Sequence, residues 1–173
     1  MRPTGLFRLV SCPVLVVVLL VLASVSPPEA HAISSRTLFT PTGAAAYDYF
    51  GYSVAGAGDV NGDGYGDVIV GAYHNDAGGT DAGRAYVHFG GPGADAVADL
   101  TLTGAAAYDQ FGYSVAGAGD INGDGYDDVI VGALFNDGGA ANAGRAYVYY
   151  GGPGADATAD LTLTGAAEDE QSG

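Results

Sequence analysis

The feature that most constrains this chain is an internal duplication. The segment Phe50–Asp59 recurs as Phe111–Asp120, 61 residues further along. Aligned without gaps, residues 43–100 and 104–161 are identical at 46 of 58 positions. Such self-similarity is the signature of repeat architectures, in which each repeat is one supersecondary unit that packs against its neighbours. The sequence therefore predicts two copies of one small folding unit.

Each copy contains four short β-like segments separated by turn residues. Glycine makes up 30 of the 173 residues, which disfavours helices because each helical glycine is destabilising by about 1 kcal/mol relative to alanine. Four antiparallel strands per repeat predict an all-β protein built from β-propeller blades, each a four-stranded antiparallel sheet. Two packed hairpins per repeat in a sandwich are the alternative. In the first copy the expected strands are Gly51–Ala57, Asp67–Ala72, Arg84–Phe89 and Asp99–Thr103.

The repeat also predicts the organisation of the chain. We expect the first blade over residues 50–110 and the second over 111–171, running into a truncated third repeat. Residues 33–49 are expected to form an N-terminal arm with a remnant outer strand. Propellers close with about 4–8 blades, so two complete repeats would leave apolar blade faces exposed. We therefore expect further blades, either in the same chain or by self-association.

The N-terminal segment has the pattern of a targeting signal. Arg2 and Arg8 precede an apolar run from Val14 to Ala23, and Ala30-His31-Ala32 follows. A positive region, a short apolar region and a small-residue cleavage site are typical of a secretory signal peptide. We expect residues 1–32 to be this signal and the protein to be secreted or at the cell surface. An uncleaved anchor is the alternative, and the only membrane contact expected.

Charge and cysteine content exclude several classes of function. The chain has 5 basic against 20 acidic residues, a net charge of -15, which excludes a basic nucleic-acid-binding surface. The one cysteine, Cys12, lies in the expected signal peptide, so cysteine catalysis is excluded. His74 and His88 are replaced by other residues in the second copy, and we expect no enzyme. Four recurring tyrosines are expected to have packing roles (Tyr47, Tyr52, Tyr65, Tyr86), with an exposed sugar-binding ladder as the alternative. Arg84 and Arg145 are expected to form a structural ion pair or a hydrogen bond to a turn, with ligand recognition as the alternative.

A nine-residue acidic motif occurs once in each copy. Residues 59–67 and 120–128 both read D-x-N-x-D-G-x-x-D. Side-chain oxygens at positions 1, 3, 5 and 9, with the carbonyl of position 7, can surround a hard cation. Three carboxylates in nine residues repel one another without a metal, which favours Ca²⁺ over a metal-free turn, the alternative. An EF-hand would need glutamate at position 12, where Val70 and Val131 stand, and Mg²⁺ seldom uses all-protein cages.

Together these motifs resemble a known family. Phe50-Gly51, the acidic loop and Gly71-Ala72 are similar to the FG-GAP repeat of integrin α-subunit β-propellers and their prokaryotic relatives. The second copy has the same order, and in both copies proline is missing from its usual place after the Gly-Ala pair, where Tyr73 and Leu134 stand. The resemblance covers residues 37–173 and implies a Ca²⁺-stabilised extracellular propeller, which in integrins has seven blades. It implies ten calcium ligands at two sites: Asp59, Asn61, Asp63, Tyr65 (carbonyl), Asp67, Asp120, Asn122, Asp124, Tyr126 (carbonyl) and Asp128.

The expected function is that of a secreted or cell-surface calcium-binding module for adhesion or extracellular ligand binding. A non-catalytic propeller portion of a larger, phospholipase-like secreted hydrolase and a purely structural surface repeat protein are the alternatives. We expect the partner to be an extracellular protein or glycan, not nucleic acid. Six of the twelve positions that differ between the copies fall in Tyr73–Asp81, so this loop is where partner recognition is expected.

Overall fold

The computed structural model describes residues 41–166, and these contain eight β-strands and no helix. The expected signal peptide and residues 39–40 of the remnant strand lie outside the described residues. The prediction of an all-β protein is confirmed. The strands are β1 (Ser53–Gly58), β2 (Asp67–Ala72), β3 (Arg84–His88), β4 (Leu100–Thr103), β5 (Phe111–Gly119), β6 (Asp128–Ala133), β7 (Arg145–Tyr149) and β8 (Leu161–Thr164).

Each repeat forms one antiparallel sheet with its strands in sequence order. The first sheet, blade 1, has the order β1-β2-β3-β4, and the second, blade 2, has the order β5-β6-β7-β8. The register is the same in both, with Ile69 opposite Val87 in blade 1 and Ile130 opposite Val148 in blade 2. The sandwich of separate hairpins is therefore wrong, because both hairpins of a repeat join in a single sheet of the propeller-blade type.

Alternation along the strands gives each blade two apolar faces. We call face A the side that carries Ile69 in blade 1 and Ile130 in blade 2, and face B the opposite side. The main core lies between face A of blade 1 and face B of blade 2. It comprises Ala57, Val60, Ile69, Ala85, Val87 and Leu102 from the first repeat and Phe111, Val129, Val131, Ala133 and Tyr149 from the second.

The Phe-Gly and Gly-Ala pairs of the repeat meet at this blade interface. Phe111 is only 1% exposed, and it forms a bridge with Gly83 of blade 1. The hydroxyl of Ser53 donates a hydrogen bond of 2.8 Å to the carbonyl of Gly112. A Cβ at Gly71 would overlap that same carbonyl, so the close approach of the two backbones requires glycine there. The motif residues thus allow one blade to pack on the next.

Arginine side chains join neighbouring strands. Arg84 Nε donates to Thr103 Oγ1 at 3.1 Å, and Arg145 Nε donates to Thr164 Oγ1 at 3.0 Å. Both arginines thus have a structural hydrogen-bonding role, but their partners are threonines of the neighbouring strand rather than an acidic side chain or a turn. No helix long and apolar enough to cross a membrane occurs in residues 41–166.

Candidate metal-binding loops

The two acidic motifs form equivalent loops at equivalent ends of the blades. The first loop joins β1 to β2 and the second joins β5 to β6. Each loop touches the turn between the third and fourth strands of its own blade, because the last carboxylate of the loop accepts a hydrogen bond from Gly90 in blade 1 and from Gly151 in blade 2. Two strand connections of each blade therefore build one acidic end.

Oxygens at motif positions 1 and 3 point to the inside of each loop. In the first loop the backbone N–H of Asp63 donates both to Asp59 Oδ1 at 3.0 Å and to Asn61 Oδ1 at 2.9 Å. The N–H of Gly64 donates to the other Asp59 oxygen at 2.9 Å. The second loop repeats these contacts with Asp120, Asn122, Asp124 and Gly125, at 3.0, 2.9 and 2.9 Å. Since one N–H reaches both oxygens, these two candidate ligands lie side by side in each loop.

The carboxylate at position 9 is buried and tied to the backbone. Asp67 is 3% exposed and Asp128 is fully buried. Asp67 accepts from the N–H of Val60 at 2.8 Å and from that of Gly90 at 2.8 Å. Asp128 accepts in the same way from Ile121 and Gly151, both at 2.9 Å. This residue fastens the start of the loop to the neighbouring turn, a structural role that the motif alone did not reveal.

Negative charges in the first loop affect one another. Burial raises the pKa of Asp67, the hydrogen bonds from Gly90 and Val60 lower it, and the nearby charges of Asp63 and Asp59 raise it further. Carboxylates this close destabilise each other's charged forms. The loop is thus a cluster of negatively charged carboxylates, and a bound cation would stabilise their charged forms.

The donor set fits a hard divalent cation. Carboxylate, amide and carbonyl oxygens are the ligands that Ca²⁺ takes in proteins. Within residues 41–166, no three Asp, Glu, His or Cys side chains come together closely enough to hold a metal ion. A cation at these loops would therefore rely on the amide oxygen of Asn61 or Asn122 and on the carbonyl of Tyr65 or Tyr126 beside the carboxylates.

The two loops also contact each other across the blade interface. Asp127, at position 8 of the second loop, accepts a hydrogen bond from the N–H of Asp59 at 2.7 Å. The N–H of Asp127 donates in return to the carbonyl of Asp59 at 3.1 Å. The ring of Tyr126 lies against Gly62, where a Cβ would overlap it. Position 8 is thus engaged in joining the blades.

Sequence reasoning missed a pair of buried polar clamps. Asn75 Nδ2 donates to Asp48 Oδ2 at 2.6 Å, and Asn136 Nδ2 donates to Asp109 Oδ2 at 2.8 Å. Burial raises the pKa of Asp109, and the hydrogen bond from Asn136 lowers it. The signal was available, because both pairs recur at the repeat offset and each joins residues 27 apart.

An aromatic cluster lies at the ends of the blades opposite the candidate metal-binding loops. Tyr49 stacks on Tyr73 with ring centroids 5.5 Å apart, and Tyr52 meets Tyr73 at 4.6 Å. The ring of Tyr113, from the second repeat, lies with its centroid 5.3 Å from that of Tyr52. The ring of His74 lies 4.3 Å from that of Tyr73. Tyr49 and Tyr52 are about half exposed, at 51% and 53%. We define the aromatic cluster as these five residues.

Exposure corrects the expectation that the recurring tyrosines pack inside. Tyr86 is buried, as expected, but Tyr47 is 85% exposed and Tyr65 is 50% exposed. The physical reason is visible for Tyr65. Its counterpart Tyr126 packs against Gly62 in the loop of blade 1. The part of the chain that the structure describes contains no equivalent loop for Tyr65 to pack against.

Comparison with known proteins defines the class of these blades. The FG-GAP repeat model matches residues 50–88 and 111–149, so the chain contains two FG-GAP repeats. Integrin alpha-5 of Xenopus laevis is 38% identical over 124 residues, covering 69% of this chain and 12% of that protein. Integrin alpha-PS2 of Drosophila melanogaster is 36% identical over 124 residues, covering 67% and 9%. The resemblance to the integrin α-subunit propeller is supported, and the chain spans about one tenth of the length of these relatives.

Proposed function

We propose that this chain is a calcium-binding FG-GAP module that acts outside the cell in adhesion or ligand binding, without catalysis. The observation that carries the proposal is the pair of equivalent loops, which present the same oxygen donors on two blades similar to those of integrin α-subunits. The targeting pattern of residues 1–32 supports secretion.

The calcium ligands we propose are the two sets implied by the motif. The side chains of Asp59, Asn61 and Asp63 and the carbonyl of Tyr65 would hold one ion, with Asp67 as a buried fifth ligand. Bound calcium would supply the positive charge that offsets the repulsion among these carboxylates. The chain itself contributes a preorganised loop, since backbone N–H groups already orient the oxygens. The second set consists of Asp120, Asn122, Asp124, Tyr126 (carbonyl) and Asp128.

Calcium binding is tested by titration with a metal-free control. At about 1 mM calcium and a dissociation constant near 10⁻⁴ M, mass action would stabilise the fold by about 1.4 kcal/mol per site. We expect calorimetry to find two sites, with one remaining after Asp63→Ala or Asp124→Ala and none in the double variant. Chelation should lower Tm, and calcium should restore it. An unchanged Tm in protein shown to be metal-free would contradict the structural role of calcium.

We further propose that an extracellular protein or glycan is recognised at the end that carries the aromatic cluster. Half-exposed tyrosine rings offer apolar area together with hydroxyl groups, a combination enriched in binding surfaces. The cluster includes Tyr73 and His74, which belong to the loop that differs most between the repeats.

Ligand recognition is tested on arrays of extracellular matrix proteins and glycans. Tyr73→Ala and Tyr49→Ala should weaken binding to any ligand found, whereas Tyr108→Ala, which truncates an exposed tyrosine outside the cluster, should not. Equal binding by all three variants would exclude the aromatic cluster as the recognition surface. Binding that disappears equally in Tyr108→Ala would also contradict it.

A further inference from the structure

The second candidate metal-binding loop supports the start of the first. Asp127 accepts a hydrogen bond from the N–H of Asp59 at 2.7 Å, and its own N–H donates to the carbonyl of Asp59 at 3.1 Å. A Cβ on Gly58 would overlap the Asp127 carboxylate, so this close approach requires glycine just before the motif. The eighth residue of one motif thus holds both backbone polar groups of the first residue of the other.

Two further contacts extend this support along the first loop. The ring of Tyr126 lies against Gly62, where a Cβ would overlap it. The N–H of Gly152, in the turn between β7 and β8, donates to the carbonyl of Val60 at 2.7 Å. Val60 is 1% exposed. Residues 58–62 of blade 1 are therefore in contact with the acidic end of blade 2.

The second loop lacks the equivalent support within residues 41–166. Ile121, the counterpart of Val60, is 49% exposed. No heavy atom of the described residues lies within 4 Å of the positions where a Cβ would stand on Gly119 or Gly123. Two loops of nearly the same sequence thus differ in their surroundings, and the groups that distinguish the first loop belong to blade 2.

We propose that the two loops are thermodynamically coupled, so that calcium held by one raises the affinity of the other through Tyr126 and Asp127. The inference rests on the proposed calcium binding. The carbonyl of Tyr126 is a proposed ligand of the second ion, while its ring covers Gly62 of the first loop. Asp127 follows in sequence and holds Asp59, a proposed ligand of the first ion. The ring and the Asp127 carboxylate act as positioning groups rather than as ligands.

The coupling is positive because it works by preorganisation. When the carbonyl of Tyr126 holds an ion, the backbone at Tyr126 is fixed, and with it the ring and the adjacent carboxylate. These groups orient the start of the first loop, so that loop has less conformational entropy to lose when it binds its own ion. Repulsion between two cations opposes this effect, but salt screens charges on exposed loops, and the Asp127 carboxylate reaches from one loop to the other.

The test is calorimetric titration of the full chain with calcium, beside the single-site variants Asp63→Ala and Asp124→Ala. The coupling factor is the product of the two stepwise association constants of the natural chain, divided by the product of the constants of the single-site variants. We expect a factor of at least about five, the lower end of typical coupling between sites. By linkage, each site affects the other by this same factor.

Variants at Asp127 test the route of the coupling. Asp127→Ala, measured in the same three backgrounds, should reduce the coupling factor to about one. Asp127→Asn keeps a neutral acceptor and should give an intermediate factor, and it serves as the measurement if Asp127→Ala does not fold. Asp156→Ala is the matched control, because it removes an exposed carboxylate of the β7–β8 turn that accepts from Thr158 of that same turn. It should leave the coupling factor unchanged.

Amide hydrogen exchange gives a readout at one named atom. In Asp63→Ala only the second loop is expected to bind calcium, yet calcium should slow exchange of the Asp59 N–H, because its acceptor Asp127 becomes fixed. We expect at least about a fivefold slowing, in line with the coupling factor. The double variant Asp63→Ala, Asp127→Ala should show no such slowing.

The outcomes separate the coupling from calcium binding itself. Two bound ions with a coupling factor of about one or below would overturn the coupling and leave the calcium sites in place. A factor that both Asp127 variants leave unchanged, or that Asp156→Ala lowers equally, would overturn the route through Asp127. A natural chain that binds no calcium would overturn the proposed calcium sites and the coupling together.

Discussion

Asp127 Oδ2 accepts a hydrogen bond from the backbone N–H of Asp59 at 2.7 Å, so a carboxylate of the second candidate metal-binding loop is bound to the first residue of the other loop. By charge alone, the extra carboxylate of Asp127, where the first loop has Gly66, would be expected to strengthen cation binding at the second loop. Its position gives it another role, which is to join two blades at their loop end.

Removing this carboxylate should destabilise the pair of blades. A hydrogen bond to a charged group contributes about 1.5–3 kcal/mol to stability, so we expect Asp127→Ala to lower the free energy of unfolding by about that amount. Asp127→Asn keeps a neutral acceptor and should lose roughly half as much. Urea denaturation in the presence of chelator measures both. Equal stability of the natural chain and the two variants would show that this hydrogen bond contributes nothing.

Asp63 and Asp67 should differ in what they contribute. Asp63 is exposed, so we expect Asp63→Ala to weaken calcium binding while leaving the metal-free stability nearly unchanged. Asp67→Ala would leave the buried N–H of Val60 without an acceptor, at about 1–3 kcal/mol, and would also remove the acceptor of the half-buried Gly90 N–H. It should therefore lower stability even in chelator. Denaturation curves with and without calcium separate the two effects, and equal losses in chelator would contradict the structural role of position 9.

The equivalent residues Tyr86 and Tyr147 provide a matched pair. The buried hydroxyl of Tyr86 has no hydrogen-bond partner among the described residues, whereas the hydroxyl of Tyr147 accepts from Asn136 Nδ2 at 3.3 Å. We expect Tyr86→Phe to be neutral or stabilising and Tyr147→Phe to be destabilising by about 0.5–1.5 kcal/mol. Thermal unfolding of both variants checks the order, and the reverse order would contradict it.

Tyr149 should make the fold sensitive to alkali. Burial raises the pKa of Tyr149, and the neighbouring Tyr147 and Asp160 raise it further. A tyrosine in the unfolded chain loses its proton near pH 10, while in the folded protein Tyr149 keeps it. The stabilisation is thus complete below about pH 10 and is lost as the pH rises further. We expect Tyr149→Phe to lose Tm less steeply than the natural chain above pH 10, with Tyr47→Phe, at an exposed tyrosine, as control. Parallel curves for all three would contradict the prediction.

The strands were predictable because the sequence marks them locally. β2 has the bounds expected from its β-branched run, and β3 and β4 differ from the expected spans by one residue each. β1 begins two residues later than expected, at Ser53, because Gly51 and Tyr52 form a turn. The corresponding residues in blade 2 extend β5 back to Phe111, where the strand is held by its bridge to Gly83.

The candidate metal-binding loops were predictable to the level of their oxygen donors. The spacing of carboxylates and amides within nine residues is a local property of the chain. The hydrogen bonds from the backbone N–H of Asp63 to the side chains of Asp59 and Asn61 follow from this spacing. The hydrogen bond from the N–H of Gly90 to Asp67 was not predictable. Gly90 lies 23 residues away in sequence, and it comes close to Asp67 only when β3 pairs with β2.

By itself, the sequence determined the repeat, the strands, the loop donors and the need for glycine at the motif positions, since each depends on residues close together in the chain. Only the tertiary structure decided which of two nearly identical surfaces is covered. Leu102 and Leu163 have the same neighbours in sequence, yet one is buried and the other 56% exposed. Burial depends on what packs against a face, and two copies of one sequence fold alike locally while occupying different places in the stack.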